Sequence, residues 1–96
     1  MEKTIVYIAN ENDYPSMSIS QLAAIIRKDW RKQSKTGQIY FGAVPYLEAM
    51  HTMDKITDNY GMDSGKSIVL YFLSNATTWK GEVARNIKKE LQKRCK

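Results

Sequence analysis

The segment Gly61-Met-Asp-Ser-Gly-Lys-Ser67 has the residue types of a phosphate-binding loop. Glycines let successive backbone N–H groups wrap an anion, a lysine supplies charge, and a serine hydroxyl can reach a metal ion. Its spacing departs from that motif, because three residues separate Gly61 from Gly65 where a P-loop has four, and the preceding residues read as helix instead of buried strand. A helix start capped by Asp63 or Ser64 is the simpler account, although the free N–H groups of such a start can receive a phosphate without catalysis. The one histidine, His51, has no serine or cysteine placed beside it by sequence. A nucleophile and base pair would need residues brought from elsewhere, and a helix surface or boundary position is the expectation. Glu48, Asp54, Asp58 and Asp63 fall on or beside the same stretch. Solvation and capping explain them more simply than general acid–base work or magnesium binding. We therefore assign no catalytic residue, metal or cofactor, and the chain reads as a non-enzyme.

Charge is the stronger signal. The 96-residue chain has 15 Lys and Arg against 10 Asp and Glu, a net charge of +5. From Arg27 to Lys35 five basic residues face only Asp29, and from Val83 to Lys96 six face only Glu90, so the rest of the chain is mildly acidic. At a helical step of about 100°, Arg27, Lys28, Arg31, Lys32 and Lys35 lie within about 140° of one another, opposite an apolar stripe. Arg85, Lys89, Lys93 and Lys96 sit likewise on the outer side of the last helix. Each face has the spacing to neutralise phosphates, which makes Lys28, Arg31, Lys32, Lys35, Arg85, Lys89 and Lys93 the candidate anion-binding residues. Nucleic acid, a nucleotide, or an acidic patch on a protein are the partners this implies, whereas lysine-rich outer faces in general also serve solubility alone. Trp30 and Trp79 fall on apolar stripes and read as core before base-stacking platforms, while Tyr14, Tyr40 and Tyr46 are less constrained and open to exposure.

The elements that position these residues can be laid out in order. Thr4-Ile-Val-Tyr-Ile8 is β-branched and aromatic and reads as a short strand. Ser18 and Gln21 form a capping box, after which Ile19, Leu22, Ala23, Ile26 and Trp30 keep helical spacing. A polar loop, Ser34 to Gln38, contains Gly37, and Ile39-Tyr-Phe41 is a second candidate strand that would pair with the first. Pro45 suits the first turn of a second helix, whose period runs through Leu47, Met50, Met53, Ile56 and Tyr60 to a stop at Gly61. Asp63 or Ser64 caps a third helix whose centre, Ile68 to Leu73, is apolar on every side and expected to be buried all round; a central strand is the other reading of such a run, but the cap and the extension through Ala76 favour helix. Thr77 or Thr78 opens the last helix, with Trp79, Val83, Ile87 and Leu91 at intervals of four and Lys93, Arg94 and Lys96 at its dipole's negative end.

A chain of this length fits one domain, residues 1–96, with a single core and little room for a deep substrate cavity. The fold class is mainly α: a bundle of about four helices, with a short two-stranded β appendage near the N-terminus as an option. The single cysteine, Cys95, rules out an intramolecular disulfide or paired-thiolate zinc site and suits a reducing compartment. The N-terminal residues do not read as a secretion signal, and Ile68 to Leu73 falls short of the roughly 20 apolar residues that cross a bilayer. The expectation is a soluble cytoplasmic protein with no membrane partner, in which Asn75-Ala76-Thr77 carries no glycan. A leftover apolar stripe on a bundle this small would allow a homodimer.

Five blocks carry a resemblance. They are Phe41-Gly-Ala-Val-Pro-Tyr-Leu47 with Ala49-Met50, Tyr60-Gly-Met-Asp-Ser-Gly65, Ser67 to Ala76, Trp79-Lys-Gly-Glu82 with Ala84-Arg85, and Ile87-Lys-Lys-Glu-Leu91. With the Lys28-Asp29-Trp30 end of the first helix, the pattern resembles a family of small proteins from bacteriophages, prophages and other mobile elements. That family has no assigned activity or binding residues, so the resemblance implies a genomic setting in a host bacterial cell and nothing residue by residue. Small phage proteins often bind host machinery, so an inhibitor of a host defence system, acting by occlusion in the manner of an anti-CRISPR protein, stands as the alternative function.

Overall fold

The computed structural model describes residues 13–96. A single turn of 3-10 helix, Tyr14–Ser16, leads into α1 (Ile19–Gln33), α2 (Val44–Met50), a hairpin of β1 (Asn59–Tyr60) and β2 (Asp63–Ser64), α3 (Gly65–Ser74) and α4 (Glu82–Arg94). The mainly helical fold expected from the sequence is thus present, four helices with a two-stranded antiparallel sheet. The sheet comes from residues 59–64. Ile39–Phe41 is irregular, and the strand expected at residues 4–8 lies outside the described residues.

The capping box at the start of α1 forms as its residues dictate. The Ser18 hydroxyl accepts from the Gln21 backbone N–H (3.1 Å), and the Gln21 side chain accepts from the Ser18 N–H (2.8 Å). The two remaining free N–H groups of that first turn, on Ile19 and Ser20, donate to the carbonyls of Asp54 and Met53 at 2.9 and 2.8 Å. This pairing explains why the second helix ends far earlier than its apolar period suggests. After Met50 the chain leaves the helix, and the loop turns its carbonyls toward the end of α1. Asp58 fixes the loop by accepting the N–H groups of Asp54 (2.8 Å) and Lys55 (2.9 Å). Met53 is still buried and Ile56 still packs on the core, so the period continues through irregular backbone that winds beneath the same side chains.

Gly61 does not stop a helix; it turns the hairpin. It takes φ 61° at the first central position, and no non-glycine residue among those described has positive φ, a combination that fits a type II′ turn. Ser64 caps α3, accepting from the Ser67 N–H at 3.1 Å. Gly65 starts that helix in contact with the preceding loop, its N–H donating to the Asp58 carbonyl at 2.6 Å. A Cβ there would stand 2.5 Å from that oxygen and 2.6 Å from the Ile56 oxygen, so only glycine fits. The expectation that α3 is buried all round is corrected: Ile68, Val69 and Phe72 are buried, but Leu70 and Tyr71 are exposed.

α4 begins at Glu82, later than the expected start at Thr77 or Thr78. Trp79 therefore enters the core from a connector. Its indole N–H donates to the Asp29 carboxylate (2.8 Å), and its ring stacks on Trp30 at 5.9 Å and 13°. Phe72 completes the trio, edge-on to Trp30 at 6.2 Å. The Gln33 side-chain amide holds the connector in place by donating to the Lys80 carbonyl and accepting from the Lys80 N–H (3.3 Å). Gly81 at φ 109° then redirects the chain into α4. With Gln33 beside Lys80 at one end and the Arg94 guanidinium on the Tyr14 carbonyl (2.8 Å) at the other, α4 runs antiparallel to α1. Both tryptophans are buried, as their places on the apolar stripes predict.

Candidate anion-binding surface

On α1, Lys28, Arg31 and Lys32 are exposed, because the opposite face, from Ile19 to Trp30, takes all the burial. Lys35 is exposed too but lies beyond the helix, in the turn after Gln33, so it joins the face as a loop residue. Of the four, Arg31 alone makes a side-chain hydrogen bond to a described residue. Its Nε donates to the Gly37 carbonyl at 3.1 Å, and its Nη groups engage no other described residue. The fork of the guanidinium is thereby held by backbone while its outer donors stay free for a ligand. Arg27, one turn before, is half-buried and directed inward: its Nε donates to His51 Nε2 at 3.0 Å. His51 ends α2 at the boundary position expected of it. Burial, and then the Arg27 guanidinium, lower its pKa, so the imidazole is neutral and accepts the bond.

On α4, Arg85, Lys89 and Lys93 are exposed along one side of the helix. Two other cations of that stretch have structural duties that their spacing did not reveal. The Lys88 ammonium donates to the Trp79 carbonyl (2.7 Å) and sits 5.7 Å from the centre of the Trp79 ring, with a pKa lowered by burial and then by Lys80. Arg94 pairs with Glu90 at 2.7 Å while donating to the Tyr14 and Pro15 carbonyls. None of the seven nominated cations takes part in an ion pair among the described residues. They do not all converge. Lys89 and Lys93 flank a shallow depression with Tyr14, Asn86 and Glu90, whereas Arg31 flanks a separate one with Arg27, Ile39 and Phe41.

Tyr40 is exposed, as its loose constraint allows, but the exposure of Phe41 and Tyr71 is a feature that sequence reasoning missed. Phe41 is 79% exposed, and its ring lies 5.0 Å from that of the half-exposed Tyr40. Tyr46 packs on the exposed Tyr71 at 5.5 Å, and Tyr14, a candidate for exposure, is buried. Phe41 and Tyr71 carried no signal because neither Ile39–Phe41 nor Ile68–Leu73 has a polar and apolar alternation that would assign a side. No three His, Cys, Asp or Glu side chains among the described residues gather closely enough to hold a metal ion. No described helix is long and apolar enough to cross a membrane. The chain matches no family model, curated protein or solved structure.

Proposed function

We propose that this chain is a non-enzymatic binding protein of a bacteriophage or other mobile element, acting in the host cytoplasm. In this reading the basic surface of α1, extended by that of α4, engages an anionic partner, with nucleic acid foremost. The observation that carries the reading is the set Lys28, Arg31, Lys32 and Lys35, exposed and outside any ion pair with a described residue. Such cations, on neutralising phosphates, displace the counterions condensed on a nucleic acid. Binding of labelled duplex DNA, followed by anisotropy from about 50 to about 200 mM salt, tests it: log affinity falls against log salt by about 0.9 per phosphate contacted. Affinity that does not change with salt contradicts it.

A second reading, a proteinaceous inhibitor that docks on a host defence protein, draws on the exposed Phe41, Tyr71, Leu70 and Met62, large apolar groups of the kind that anchor interfaces. Recovery of one stoichiometric protein partner from host lysate after nuclease treatment favours this reading over the first.

A further inference from the structure

We propose that Phe41, beside Arg31, is a stacking seat for an unpaired base, so that the preferred polyanion is single-stranded nucleic acid. The inference rests on the reading of α1 as an anion-binding surface and adds to it the form of the ligand. Phe41 and Arg31 flank the same open depression of about 400 Å³ between α1 and the segment entering α2. Phe41 gives the fold little in return for its exposure, since four-fifths of its surface remains in water. Its neighbour Tyr40 is tilted 55° to it, so the two rings do not stack face to face. Arg31 is held to the Gly37 carbonyl with its Nη donors free, and Lys28 and Lys35 are exposed on either side of it in sequence.

An aromatic face next to a fixed guanidinium, with further cations nearby, matches what an unpaired nucleotide offers: a π-face and a phosphate within one residue. A duplex meets only half of this arrangement, because its bases are already stacked on each other. An acidic protein patch has charge for Arg31 but no flat ring to cover Phe41.

The test compares wild type with Phe41→Ala, Phe41→Trp and Arg31→Gln on labelled oligothymidylate, on a duplex of the same length, and on heparin, a polyanion without bases. Because Phe41 is so exposed, Phe41→Ala is expected to keep the melting temperature of wild type. It should weaken oligothymidylate binding about 5- to 150-fold, and leave duplex and heparin unchanged. Phe41→Trp should retain the affinity, and Arg31→Gln should lower the salt slope on the single strand by about 0.7. Salt-dependent binding that Phe41→Ala leaves intact, or a duplex preferred over the single strand, overturns the base seat but keeps the basic surface. A dimer in sedimentation that Phe41→Ala dissolves overturns it in favour of a second copy of this chain. Failure to bind any of the three polyanions removes the underlying reading and the base seat with it.

Discussion

At the scale of single residues, the structure depends on a few groups whose chemistry has one acceptable form. Gly65 is the tightest. Alanine at the start of a helix is ordinarily favoured over glycine by up to about 1 kcal/mol. Here its methyl group would meet two carbonyl oxygens, so Gly65→Ala should destabilise the fold by about 1–3 kcal/mol in chemical denaturation. His51 gives a pH dependence of known sign. Its folded pKa lies below the unfolded value of 6.5, so the unfolded chain takes up the proton more readily. The stability this site contributes is complete above that value and is lost as pH falls from 6.5 toward the lowered folded value. Denaturation midpoints should therefore drop across that window, and a His51→Gln variant, which has no proton to take up there, should show a flatter profile. Cys95 is buried with its thiol pKa raised by that burial, and it should resist alkylation in the folded protein and react on unfolding.

At the scale of elements, the helix starts divide into those made by their own residues and those made by distant ones. Ser18 and Ser64 are local caps, and replacing either with alanine should cost about 0.5–2 kcal/mol, read by thermal or chemical denaturation. These two starts were legible because cap and period lie in the same few residues. The end of α2 and the start of α4 were not. Met53 and Ile56 keep helical spacing, yet the carbonyls of Met53 and Asp54 serve the first turn of α1, a partner more than thirty residues away. Trp79 keeps helical spacing with Val83, yet it is held by Asp29 and Gln33 across the chain. Periodicity reports which side chains face the core and says little about whether the backbone between them is helical. The candidate site divides in the same way. Spacing identified the outward cations and left Lys88 and Arg94 off the outer side of α4, but it put Arg27 on the basic face of α1 and could not show that its partner is His51 on another element.

At the scale of the whole molecule, one core is closed by the Trp30, Phe72 and Trp79 trio, to which α1, α3 and the connector before α4 each contribute one ring. Removing its largest fully buried member, Trp79→Ala, should cost about 3–5 kcal/mol and lower the cooperativity with which α1 and α4 unfold, measured by circular dichroism at several denaturant concentrations. With the apolar stripe of α1 committed to that core, the exterior of α1 carries exposed cations outside any ion pair with a described residue, and the exposed aromatic edge at Phe41 adjoins them. The most direct measurement of the proposed function is the salt dependence of single-strand binding by wild type and by a variant with Lys28, Arg31, Lys32 and Lys35 all changed to Gln. A log–log slope shallower in the variant by about 0.7 for each lost phosphate contact, with the fold intact by circular dichroism, is the expected result. Equal slopes for the two proteins would contradict it.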